Sequence, residues 1–435
     1  MKKPLLSEHY QDRLPSAIRI AQIEFLKRTD QVVGVNTAIG NVTLPMHPAM
    51  VKRMFSLNGP HSPFKHGVVK YSTTAGEKEA NHAFLHLIAS SGFPTNGLHS
   101  QITDGGSHAM ELVILGVCAP AGSSEKPLLL IDPTYSNYTS FAIRTGRATI
   151  SVTRRLEENG KFTLPKLSEI EKVIVESKPS ALLIIPYDNP TGQFFPQQTI
   201  NDLAKLCVKH NLWLISDEAY REMFYTEGQT SSVWGITEQE VPGITGRRIS
   251  IESASKAWNA CGLRTGAIIT DNPEFHQQAV AENTANLCAN VIGQYVFGAL
   301  LHESKEDLHH WFSQQRAYYK QMAITVTTGL KEKLPQLIVS EPDAALYTVI
   351  DMRKVCGPNF DASEFALYCA QKGSVMLNGV KTTLLAAPMD GFYSPGPGQS
   401  NPGKTQMRIA YVEPPEVMSE VPMLLTQLLH DFTRR

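Results

Sequence analysis

From residue 127 onward the chain alternates short apolar runs with longer stretches whose apolar positions recur at helical spacing. The runs at 128–131, 149–152, 181–185, 212–215 and 249–251 are rich in Leu, Ile and Val and read as buried strands. Helical stretches fall near 167–177 and 197–210, which gives the strand-helix-strand rhythm of a largely parallel sheet covered on both faces. In such a sheet the ligand lies beyond the carboxyl ends of the strands. Elsewhere, Ala17, Ile18, Ile20, Ala21, Ile23 and Phe25 predict an amphipathic helix, either on the surface or packed as an arm on a partner subunit. Two more helices are expected over 77–90 and 111–118. After a strand at 267–270, one helical region over about 274–330 should link to a second unit, in which strands within 336–352 and 405–412 flank a helix near 361–372.

Composition narrows the class. The 435 residues are 42% hydrophobic, enough to bury a large core and, on length alone, to form more than one domain. Lys+Arg 40 against Asp+Glu 41 leaves a formal charge of -1, without the basic footprint of a nucleic-acid or anionic-membrane binder, so a small-molecule partner is expected. Cys118, Cys207, Cys261, Cys288, Cys356 and Cys369 are scattered, with no Cys-x-x-Cys pair, and read as reduced thiols. The basic start Met1-Lys2-Lys3 runs at once into Ser7-Glu8-His9 with no apolar signal core, and no run of membrane length follows, so the expected location is the cytoplasm. His82 and His86 stand four apart on a predicted helix, but no third ligand accompanies them and no metal site is expected.

The stretch that carries chemistry is Ser253-Ala254-Ser255-Lys256-Ala257-Trp258-Asn259-Ala260-Cys261-Gly262-Leu263-Arg264-Thr265-Gly266, set between two strand-like runs. Alone, Lys256 reads as a surface lysine in a turn. At a strand end it can instead be partly desolvated, which lowers its pKa and makes its amine a nucleophile toward an aldehyde. Ser253, Ser255 and Arg264 are donors suited to a phosphate dianion. Thr103-Asp104-Gly105-Gly106-Ser107-His108 opens a helix whose first amides and Ser107 hydroxyl form an anion site or, more simply, a capped start. A Schiff-base lysine beside phosphate donors suggests pyridoxal phosphate (PLP).

Here the chain resembles the class I/II PLP-dependent aminotransferases of fold type I, aspartate aminotransferase-like, whose lysine motif reads Ser-x-Ser-Lys and then Gly-x-Arg-x-Gly. The resemblance runs from about Gly40 to Arg408 and includes Asn189-Pro190-Thr191-Gly192 and Arg408-Ile409-Ala410-Tyr411. It implies an α/β fold: a large domain at 45–320 with a mostly parallel seven-stranded sheet between helices, and an N-terminal arm at 1–44 that joins 321–435 in a smaller α+β domain. The implied cofactor contacts are Gly106, Ser107 and His108 at the helix start, Ser253, Ser255 and Arg264 at the phosphate, and Tyr135 stacked on the ring. Tyr71 is implied to reach the phosphate of the neighbouring subunit, which makes a homodimer with shared sites. Asn189 and Tyr220 are placed at the phenolate oxygen. Asp217, which ends an apolar strand, needs a cationic partner, and the pyridinium nitrogen would be one; a helix cap is the plainer alternative. Gly40, Asn189 and Arg408 are the implied substrate contacts, although an arginine inside an apolar strand would equally serve an internal salt bridge.

The resulting expectation is an aminotransferase moving an amino group from an L-amino acid to a 2-oxo acid by a ping-pong mechanism, with Lys256, Asp217 and Tyr220 as catalytic residues. The alternative is another fold type I PLP enzyme, eliminating or replacing at Cβ or Cγ or cyclising its substrate, because the same electron sink serves each. A transcription regulator would need a DNA-binding domain, and only about 35 residues precede 35–40, too few for one. Pure binding has no need of an imine-forming lysine. Neither a second arginine for a dicarboxylate donor nor the roles of Trp258 and Tyr347, as pocket wall or core, can be read from the pattern. The Pro- and Gly-rich loop at 392–403 is expected to act as a lid.

Overall fold

The computed structural model describes residues 4–396 and 398–435, so Met1–Lys3 of the basic start and Pro397 of the Pro/Gly loop lie outside the described residues. The apolar runs form one seven-stranded sheet in the order His99–Thr103, Gly266–Thr270, Arg248–Ser253, Trp213–Asp217, Ala181–Ile184, Leu128–Asp132, Thr149–Thr153. Four successive pairings are parallel, and Gly266–Thr270 alone runs against both of its neighbours.

The alternation of side chains explains why these runs are apolar at every position. Leu129, Ile131, Leu182, Ile184 and Leu214 enter one core cluster, and Leu128, Leu130, Leu183, Ile215 and Ile249 enter the cluster on the opposite face. Both faces are thus covered, as the connecting helices of a parallel sheet require. The helix Gly106–Val117 lies against Arg248–Ser253 and Gly266–Thr270.

A four-stranded antiparallel sheet, in the order Ile338–Val339, Tyr347–Asp351, Gln406–Ala410, Ala387–Pro388, forms the second unit, with the helix Ala362–Gln371 beside it. Val33–Asn36 pairs in parallel with Val380–Leu385, which ties the N-terminal segment to this unit. The N-terminal helix Ala17–Phe25 docks on its own chain: Ile18 packs with Met389 and Phe392, and Ala21 with Ala370 and Leu385.

The expected helical region over about 274–330 consists of the α-helices Pro273–Asn283, Val291–Gly298 and Lys305–Lys333. Leu287 breaks the run with a left-handed φ of 68°, and the side chains of Asn290 and Ser304 then cap the next two helices by accepting from Gly293 N and Asp307 N. No helix among the described residues is long and apolar enough to cross a membrane. His86 is engaged with the Glu303 carbonyl at 2.9 Å.

Candidate active site

The carboxyl ends of the strands, the turn before Gly106–Val117 and the small antiparallel sheet enclose a cavity of about 560 Å³. One end of it is a set of anion donors. The chain leaves His99–Thr103, turns at Gly105 (φ 83°) and enters the helix. A Cβ on Gly105 would press into the Arg264 guanidinium, and one on Gly266 would lie 2.7 Å from the Gly105 carbonyl carbon, so glycine at both positions lets strand end and helix start meet. Ser253 Oγ and Ser255 Oγ are 2.9 Å apart. Arg264 donates only to the carbonyls of Cys261 (3.0 Å) and Asp104 (3.2 Å) and, at 3.5 Å, to Ser255 Oγ. It has no carboxylate partner among the described residues. Helix amides, Ser107, Ser253, Ser255 and an arginine without an anion make a chemically matched cradle for a phosphate.

In the middle of the cavity stands Asp217, the last residue of its strand. Its partners are the Tyr138 hydroxyl and the Ala219 N–H at 3.1 Å, with no cation among the described residues. The surrounding protein pushes its carboxyl above the usual range, against the pull of the Tyr138 hydrogen bond. A protonated ring nitrogen would supply the missing charge. Tyr135 stands edge-on to Tyr138 at 5.5 Å and takes the Asn137 amide on its hydroxyl at 2.7 Å; burial pushes its phenol up to about 12. The Tyr220 hydroxyl is 2.6 Å from that of Tyr347, and burial first, then the neighbouring Tyr347, hold it protonated far above the ordinary tyrosine range.

At the other end, Lys256 Nζ donates to the Gly40 carbonyl and lies 3.6 Å from Cys261 Sγ. A Cβ on Gly40 would meet Nζ at 3.2 Å and run into the Tyr347 hydroxyl, so a glycine is required there. Arg408 is 1% exposed, donates to Asn189 Oδ1 and to the Ala38 carbonyl at 2.6 Å each, and lies over the rings of Tyr347 (4.2 Å) and Phe392 (5.0 Å). Its Nε has no partner, and among the described residues it forms no internal salt bridge. A buried guanidinium with spare donors, facing a cavity, is a receptor for a carboxylate.

The family model "Aminotransferase class I and II" matches residues 57–390. The chain belongs to this family. Its members work with PLP, and the orphan carboxylate, the phosphate cradle and the cavity lysine fit that cofactor. A probable aspartate/prephenate aminotransferase of Aquifex aeolicus is 23% identical over 306 residues, 70% of this chain and 74% of that protein. An aspartate aminotransferase of Thermotoga maritima is 23% identical over 58% of this chain, which spans 61% of that protein. Among solved structures, the N-succinyldiaminopimelate aminotransferase of Mycobacterium tuberculosis superposes with a TM-score of 0.79 at 19% identity, covering 98% of this chain and 100% of that one, which establishes the shared fold.

Within this aminotransferase fold, Gly40, Gly106, Ser107, Tyr135, Asn189, Asp217, Tyr220, Ser253, Ser255, Lys256, Arg264 and Arg408 all line the one cavity. Two expected contacts do not. His108 turns away, accepting from Asp104 N on Nδ1 at 3.2 Å and meeting Asn286 Nδ2 at 3.3 Å, so it closes the preceding turn. Tyr71 is 78% exposed, away from its own chain's cavity. None of the described residues of 394–403 lines the cavity either. The loop is tied back by Ser394 N–H on Asp132 Oδ2 (2.6 Å) and by Asn401 on the Asp390 carbonyl (2.9 Å).

Among the wall residues not expected as contacts are Arg19, Tyr138 and Cys261, and Tyr347, left open between pocket wall and core, is at the wall. Tyr138 carried a usable signal, since it follows Tyr135 by three at a helix start and shares its face. Arg19 carried none, because only the docking of Ala17–Phe25 brings it to the mouth, where it donates to Gln22 at 3.0 Å.

Proposed function

We propose that this chain is a PLP-dependent aminotransferase that passes an amino group from an L-amino acid to a 2-oxo acid in two half-reactions on one site. The observation that carries the proposal is the convergence of Lys256, Asp217 and Arg264 on one cavity, the last two without counter-charges. Bound there, PLP supplies an electron sink for the bonds at the substrate Cα.

The residues divide the remaining work. Ser107, Ser253, Ser255 and Arg264 hold the phosphate, and Asp217 keeps the ring nitrogen protonated. Tyr220 and Asn189 would donate to the ring oxygen, and Tyr135 would pack on the ring. Lys256 would be the covalent anchor, and its free Nζ is the group that would take the proton from the substrate Cα and later return one, as general base and then general acid. Arg408 binds the α-carboxylate and fixes which bond at Cα is turned toward Lys256. The ping-pong order follows, because donor and acceptor share Arg408.

Arg19 at the mouth supports a donor with an acidic side chain, in keeping with the aspartate named for two of the relatives. The exposed run of Val68 (53%), Val69 (53%) and Tyr71 (78%) supports a face covered by a second copy, with Tyr71 completing the partner's phosphate site in a homodimer. The site lies between the proposed domains, 45–320 and 1–44 with 321–435. Six free thiols support a reducing, cytoplasmic setting.

The test is to mix PLP-loaded protein with single amino acids in the absence of any oxo acid. Stoichiometric formation of the matching 2-oxo acid, with conversion of the cofactor to its amine form, is expected for aspartate or glutamate. Release of ammonia or a side-chain fragment with the cofactor unconverted would replace this reading by elimination or replacement chemistry.

A further inference from the structure

Tyr347 touches both ends of the site. It is paired in register with Ala410, two residues from Arg408, and is 1% exposed. Its ring lies under the Arg408 guanidinium at 4.2 Å, and its hydroxyl is 2.6 Å from that of Tyr220. The same hydroxyl fills the space that a Cβ on Gly40 would need.

Where the two hydroxyl protons go decides what this contact does. Among the described residues neither hydroxyl has another hydrogen-bond partner. Both side chains line the cavity, and if Tyr220 donated to Tyr347 it would have no hydrogen left to offer an anion there. If Tyr347 donates, the Tyr220 hydrogen is free to point into the cavity, where an oxygen anion accepts it and both protons are satisfied. A hydroxyl that accepts a hydrogen bond also donates a stronger one.

We infer that Tyr347 is a positioning residue acting through Tyr220: its hydroxyl donates to the Tyr220 oxygen and thereby aims the Tyr220 hydrogen at the cofactor's ring oxygen, while its ring braces Arg408 for the substrate carboxylate. The inference rests on the PLP reading above. It assigns two separable tasks to one side chain, hydroxyl to the cofactor end and ring to the carboxylate end.

The experiment is a pH titration of the visible cofactor band in PLP-loaded wild type, Tyr347→Phe, Tyr220→Phe and the double variant, together with KM for the amino donor in Tyr347→Phe. Weakening the Tyr220 bond leaves the ring oxygen more basic, so the band's midpoint should rise by about 0.2–0.5 pH unit in Tyr347→Phe. Tyr220→Phe should rise more, and adding Tyr347→Phe to it should give no further shift. KM in Tyr347→Phe should stay within about twofold, because the ring over Arg408 is retained. An unchanged midpoint in Tyr347→Phe, or an equal added shift in the Tyr220→Phe background, would overturn the inference while leaving the PLP reading intact. A wild type with no pH-dependent band would overturn both. If Tyr347→Phe does not fold, Tyr347→His takes its place in the same titration, alone and with Tyr220→Phe, and an unchanged midpoint, or an equal added shift in the Tyr220→Phe background, overturns the inference.

Discussion

Asp217 and Glu218 are neighbours in sequence and opposites in circumstance. Glu218, 1% exposed, points into the core, where Arg221 reaches it at 2.5 Å and the Ser216 and Ser232 hydroxyls and the Val233 N–H complete its shell at 2.8–2.9 Å. The same Arg221 holds Glu252 at 2.5 Å. Asp217 points into the cavity with one hydroxyl and one amide and no cation. A carboxylate that serves the fold carries its partners with it, whereas one that serves a ligand leaves the strongest partner to the ligand. Arg264 and Arg408 stand to Arg221 as Asp217 stands to Glu218.

The contrast predicts opposite responses at adjacent positions. Asp217→Asn keeps the Tyr138 contact, so apoprotein stability should hold or rise, while kcat falls by about 10²–10⁴ through loss of an ion pair with the ring nitrogen. Equal activity in that variant would remove Asp217 from the chemistry. Arg221→Leu should do the reverse: a loss of about 3–5 kcal/mol in denaturant unfolding, with two buried carboxylates stranded and the cavity wall otherwise untouched. A variant as stable as its parent would erase the distinction drawn here.

Asp132 is an intermediate case, with one oxygen on Ser394 N–H, the other unpartnered, and burial pushing it up to about 6. A carboxyl raised in the folded state binds more protons there than when unfolded, so its stabilising share is present at low pH and lost as pH rises through about 6. Asp132→Asn should therefore gain on the parent between about pH 4 and pH 7, by up to about 3 kcal/mol, in unfolding curves measured across that range. A gap that does not change with pH would show that Asp132 ionises at its ordinary value.

The same contrast explains what the sequence disclosed. Asn189, Asp217 and Lys256 follow apolar runs within a few residues, and the geometry of a parallel sheet carries polar residues at those places to one edge; Arg264 reaches the same edge by standing just before the antiparallel strand Gly266–Thr270. The edge strand His99–Thr103 was not anticipated because only Ile102 of its five residues is strongly apolar, and its pairing with Gly266–Thr270 is long-range. Tyr347 was ambiguous for a related reason. All five residues of its strand are buried, so alternation does not tell a cavity-facing ring from a core ring. The His108 side chain turns to Asp104 and Asn286, which leaves the backbone amide of the helix start as its route to an anion. Arg19 depends on the docking of Ala17–Phe25, which no local pattern encodes.

The central claim is that this cavity holds PLP with Lys256 as its anchor. Borohydride reduction of the PLP-loaded protein, followed by digestion and mass mapping, tests it at the atom concerned. The account predicts a pyridoxyl mass on the peptide carrying Lys256 and none on the Lys256→Ala protein; a label on another lysine, with Lys256 unmodified, would contradict it.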